Sequence, residues 1–136
     1  MTLKIALIGL LSLGIASASP IIEIKTVAGK TAEEVEIVLG APSQTEETKQ
    51  GIKNFYLDDA VEIVFIDGKA DWITITPTKI TPFTKESLVE LGLEVRLPTF
   101  SNEHVLRWEP YGAYHSVSMA PGPDGVDFFY VMIKTK

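Results

Sequence analysis

The chain has 136 residues, 46% of them hydrophobic; 12 Lys and Arg stand against 18 Asp and Glu for a formal net charge of −6, with two histidines and no cysteine. An acidic balance without a basic run argues against a nucleic-acid binder, which needs a cationic face for phosphate. Without cysteine there is no disulfide, thiolate metal site or thiol nucleophile, so the fold must be held by packing alone.

Lys4, the uncharged apolar run 5–16 and the small-x-small triplet Ala16-Ser17-Ala18 read as a signal peptide over residues 1–18. The run is shorter than the about 20 residues that a membrane-spanning helix needs. This reading leaves a single exported domain at 19–136, extracytoplasmic (periplasmic or secreted) after cleavage and without an integral membrane span.

Residues 29–42 are punctuated as a helix. Thr31 is the expected N-cap, and Glu34 three residues later completes a capping box. Ala32, Val35, Val38 and Leu39 form an apolar stripe at helical spacing, and Gly40 and Pro42 end it. A polar loop over 43–51 leads to a short strand at 52–57. Residues 61–76 then read as a hairpin: Val61, Ile63 and Phe65 alternate with Glu62, Val64 and Ile66, and Asp67-Gly68 supplies the turn. In its second arm Ile73 and Ile75 oppose Trp72, Thr74 and Thr76.

The order repeats. Residues 83–93 offer a second helix, with Thr84 as N-cap, Phe83 and Leu88 placed as a hydrophobic staple, and Leu88, Val89 and Leu91 as its apolar side. After a loop containing Pro98, strand-like alternation recurs at 104–110, 114–121 and 126–134. Setting Thr31 on Thr84 places Phe55 on Trp108. The expected fold is α+β: two α-β-β-β repeats, about 29–76 and about 83–134, forming one antiparallel sheet or two joined sheets with helices packed on one face.

The run Gly29-x-Thr31-x-x-x-Val35-x-x-x-Leu39-Gly40-x-Pro42, followed by Phe55-Tyr56 and the segment 64–71, resembles the opening of the SmpA/OmlA domain. The tandem arrangement is similar to the fold of the β-lactamase inhibitor protein family. The resemblance covers residues 29–76 by motif and 83–134 by element order. It implies a protein-binding module that grips its partner with a sheet face and hairpin loops, which brings Asp67 and Lys69 at the hairpin tip into the candidate site. The partner itself is not implied.

Candidate chemistry is sparse. His104 and His115 are each expected on strands, and neither Ser116 nor Ser118 sits in a G-x-S-x-G elbow. Asp58-Asp59 suits a turn. Asp67, Asp71, Asp124 and Asp127 form no calcium loop, and Gly122-Pro123-Asp124-Gly125 precedes no helix that could bind phosphate. The expectation is a non-enzyme with no cofactor and no metal. With Ile63, Phe65, Ile73 and Ile75 under the helix bearing Val35, Val38 and Leu39, the opposite face would carry Trp72, Thr74 and Val64. Phe55 and Trp108 would point into the core, leaving Tyr56, Arg107 and Glu109 outward beside Ser116 and Ser118. Trp, Tyr and Arg are enriched at binding hot spots. Trp72 would then anchor a protein partner, or else be covered by the termini or the other half-sheet. The alternative function is a small extracytoplasmic ligand-binding protein or hydrolase centred on His115.

Overall fold

The structure, a computed structural model, describes residues 19–134; the expected signal peptide at 1–18 lies outside the described residues. Eight strands make one antiparallel sheet: β1 (Gln44–Glu47), β2 (Ile52–Tyr56), β3 (Val61–Ile66), β4 (Lys69–Ile75), β5 (Phe100–Ser101), β6 (Leu106–Trp108), β7 (Ser116–Gly122) and β8 (Gly125–Met132). Their order is β1-β2-β3-β4-β8-β7-β6-β5, so the two four-strand meanders meet where β4 pairs with β8. One face is covered by helix α1 (Ala32–Leu39) and by 3₁₀ turns at Ile24–Thr26 and Lys85–Leu91.

Local chemistry accounts for these elements. The Thr31 side chain accepts the Glu34 amide hydrogen at 3.3 Å, and the Thr31 amide donates to the Glu34 carboxylate at 2.9 Å, the reciprocal capping box that the sequence predicts. Asp67 and Gly68 take φ of 52° and 78°, the left-handed pair that lets a two-residue turn follow the twist of its strands. Gly125, at φ 140°, is packed so closely that an added Cβ would lie 2.1 Å from the Thr81 carbonyl oxygen. That oxygen accepts the Val126 amide hydrogen at 2.7 Å, tying the segment between the meanders to the last hairpin.

The register of the central hairpin agrees with the sequence reading. Val61 pairs with Ile75 and Ile63 with Ile73, and Val61, Ile63, Ile73 and Ile75 are fully buried, with Phe65 at 5% exposure. Trp108, Val117, Met119, Phe129 and Val131 continue this inward layer beneath Val35, Leu88 and Leu91.

Several expectations are corrected. Tyr56, not Phe55, points inward and is fully buried. The Asn54 side-chain amide donates to the Tyr56 hydroxyl at 2.9 Å, and Thr45 donates to the Asn54 carbonyl at 2.8 Å, so the polar end of the tyrosine enters the core satisfied. Tyr56 is therefore not on the open face. Val38 is exposed because α1 is only eight residues long and packs through Val35, with Ala32 and Leu39 at its margins, and Val89 is exposed on the 3₁₀ turn Lys85–Leu91, which packs through Leu88 and Leu91. The second helix is a 3₁₀ turn, and Thr84 makes no side-chain cap bond. Strands β1 and β5 appear where loops were expected. Ile22, Ile24 and Val27 add a part of the core that the sequence reading did not assign. Among the described residues no helix is long and apolar enough to cross a membrane.

Candidate functional site on the helix-free sheet face

Side chains alternate across each strand, so the pairing register defines the face away from the helices. One row across it runs Phe55, Glu62, Thr74, Tyr130, Ser118, Arg107, and a second runs Lys53, Val64, Trp72, Met132, Ser116. Of the candidate residues, Trp72 and Thr74 therefore sit at the centre of the face, both half-buried. Arg107 lies three strands from Thr74, about 14 Å at ordinary strand spacing. Asp67 and Lys69 are exposed at the β3–β4 turn, and Glu109 is exposed in the β6–β7 connection. The candidates thus form a centre and two outlying positions rather than one cluster.

Two depressions flank the Trp72 indole. On one side a cavity of about 190 Å³ is lined by Thr48, Gln50, Lys53, Glu62, Val64, Trp72, Thr74 and Tyr130. On the other, a more open one of about 360 Å³ is lined by Ile66, Asp71, Trp72, His115, Met132 and Lys134. A larger depression of about 410 Å³ lies off this face, between the segment 76–81 and the β7–β8 turn.

The electrostatics are paired. Lys53 Nζ lies 3.6 Å from Glu62 Oε1 and 5.6 Å from the centre of the Phe55 ring. Arg107 Nε donates to the Ser118 hydroxyl at 3.4 Å. His115 Nε2 stands 3.7 Å from Glu109 Oε2, and both side chains are partly exposed. Burial, with a smaller contribution from the Asp71 carboxylate, pushes the Tyr130 phenol above its usual range, so it remains a neutral hydrogen-bonding group at physiological pH. Asp71 is almost fully buried and accepts the Lys134 amide hydrogen at 2.8 Å, anchoring the end of the chain that follows β8.

The arrangement offers two half-buried aromatic surfaces, an amide, hydroxyls and a compensated ion pair, a set suited to stacking and hydrogen bonding. Tyr130, Met132, Lys53 and Phe55 belong to this face and were missed by the sequence reading. The β8 residues arrive there through pairing with β4, a long-range contact that strand-like composition at 126–134 does not encode. Lys53 and Phe55 follow from the reversed register of β2, whose signal was the polar Asn54 placed to satisfy Tyr56. Set against known proteins, the chain has no match among protein-family models, curated proteins or solved structures.

Proposed function

We propose that the chain is an exported, non-catalytic protein-binding module, inhibitor-like or a cell-envelope scaffold, that engages its partner through the helix-free sheet face and the adjoining hairpin turns. The observation that carries this reading is the half-buried Trp72 beside Tyr130 at the centre of a face that the helices leave uncovered. Aromatic residues ringed by polar ones are what a desolvated interface centre uses. Export rests on the amino-terminal pattern of Lys4, the run 5–16 and Ala16-Ser17-Ala18, the SmpA/OmlA-like reading on the motifs within 29–76, and the inhibitor-like reading on the tandem element order.

The strand registers support reading the two halves as repeats, as the comparison with a tandem fold requires. The pairs Val61↔Ile75, Val64↔Trp72 and Ile66↔Lys69 of the first hairpin have counterparts Val117↔Val131, Ala120↔Phe128 and Gly122↔Gly125 in the last, and the ladder shifts register between Val64 and Phe65 as it does between Ala120 and Pro121. Tyr56 opposite Val61, and not Phe55 as the sequence alignment of the halves expects, corresponds to Trp108 opposite Val117, both buried. In this correspondence Thr74 and Tyr130 are equivalent and also pair with each other. The open face would then be centred on a pseudo-two-fold axis, with Trp72 and Phe128 related across it.

The test is recovery of a protein from envelope extract or culture medium on an immobilised chain beginning at Ser19, with Trp72→Ala abolishing recovery. Equal recovery by the variant, or none by either, counts against the reading. A second reading, a small-ligand-binding protein or hydrolase centred on His115, is favoured by the depression that His115 shares with Trp72 and Met132. It predicts that His115→Ala, and not Arg107→Ala, removes function.

A further inference from the structure

Three tyrosine or tryptophan side chains in the core have their polar atom bonded inside the fold. Trp108 Nε1 donates to the Arg96 carbonyl at 2.9 Å, the Tyr111 hydroxyl to the Glu94 carbonyl at 2.6 Å, and the Tyr56 hydroxyl accepts from Asn54. Trp72 and Tyr130 differ. Among the described residues the Trp72 indole N–H, the Tyr130 and Thr74 hydroxyls and the Gln50 side-chain carboxamide make no hydrogen bond within the chain, and all four side chains line the same 190 Å³ cavity. Gln50 is held at its rim because the Thr48 hydroxyl donates to the Gly51 carbonyl at 2.6 Å and accepts the Gln50 and Gly51 amide hydrogens, which shapes the β1–β2 turn.

We infer that this cavity binds a single neutral pyranose ring, which goes beyond the protein-binding role and does not depend on it. The geometry and chemistry of the lining decide the class. Lys53 and Glu62 neutralise one another at 3.6 Å, so the lining gives an ionic ligand no net charge to recognise. A purely apolar side chain would strip water from the amide, the hydroxyls and the ion pair and return no hydrogen bond to them. A pyranose has both features that the cavity demands. Its C–H face lies against the Trp72 ring, and its hydroxyls, each a donor and an acceptor, meet Gln50, Thr74, Tyr130 and the Lys53–Glu62 pair. The small volume limits occupancy to one ring.

The experiment is an NMR titration of the ¹⁵N-labelled chain with methyl β-glucoside, methyl β-galactoside and methyl N-acetyl-β-glucosaminide. The two indole N–H signals separate the outcomes, since Trp108 is buried and bonded while Trp72 is open. At least one glycoside is expected to shift the Trp72 indole and the Thr74 and Tyr130 amides along a saturating curve, leaving Trp108 unmoved. Trp72→Ala should weaken that binding at least tenfold, and Tyr130→Phe, which keeps the ring, should weaken it severalfold. Failure of all three glycosides to saturate at about 100 mM, a hundredfold above a millimolar Kd, would overturn the assignment. So would shifts that persist in Trp72→Ala, or tighter binding of N-acetylphenylalaninamide, which would make the cavity a socket for a peptide side chain.

Discussion

Replacing Ile63 by alanine tests which face of β3 is the core. Ile63 is fully buried between Asn54 on β2 and Ile73 on β4. The substitution removes three carbons, about 2.4 kcal/mol of transfer free energy at about 0.8 kcal/mol per methylene. A cavity in the middle of a sheet collapses poorly, so the total should reach about 3–4 kcal/mol, within the range for such truncations. Its neighbour Glu62 points to the open face and makes only a partly exposed ion pair with Lys53. Glu62→Ala should therefore cost no more than about 0.5–1 kcal/mol. Urea denaturation reads both. With a slope of about 1–3 kcal/mol per molar, the Ile63 variant should lose more than one molar in midpoint and the Glu62 variant a few tenths. Equal losses, or a greater loss for Glu62→Ala, would reverse the register and put Trp72 in the core, removing the basis of the proposed site.

Tyr56→Phe should cost about 1–2 kcal/mol in the same assay, because it deprives the buried Asn54 amide of its 2.9 Å acceptor; a change below about 0.5 kcal/mol would return Tyr56 to the surface. Gly125→Ala should destabilise by about 2 kcal/mol or more, since φ is positive and the new Cβ would strike the Thr81 carbonyl. Hydrogen exchange should show lost protection of the Val126 amide, and unchanged protection would refute the contact. The Thr31 backbone amide, and then its hydroxyl, hold the Glu34 carboxyl below the usual carboxylate range. A depressed native pKa contributes stability above the unfolded-state value that is lost as pH falls through the native one. The difference between wild type and Glu34→Gln should thus be present at neutral pH and shrink on acidification through and below the ordinary carboxylate range; a constant difference would contradict the capping assignment.

Elements with a local chemical signature were legible in the sequence. The capping box of Thr31 and Glu34, the Asp67-Gly68 turn and the two-residue period of Val61–Ile75 each express chemistry confined to a few neighbours, and each is present in the structure. What failed to show had its cause elsewhere in the fold. β1 (Gln44–Glu47) is an exposed edge strand of polar residues, so nothing in its composition separates it from a loop. β5 is two exposed residues held by pairing with β6. For β2, apolarity favours Phe55 for the core, but the polar partner of Tyr56 reverses the choice. The Trp72 half of the candidate site came from strand alternation; the Tyr130 half required the β4–β8 pairing, which only the assembled sheet supplies.

Photocrosslinking from the two sides of the molecule tests whether the helix-free face is the interaction surface. A photoreactive residue at Thr74 reports on the open face, and one at Ile37, 85% exposed on α1, serves as the opposite-face control. In extract from the native compartment, a discrete crosslinked protein is expected from Thr74 that disappears in Trp72→Ala and is absent from Ile37. Crosslinking from Ile37 alone, or from Thr74 with equal yield in Trp72→Ala, would contradict it.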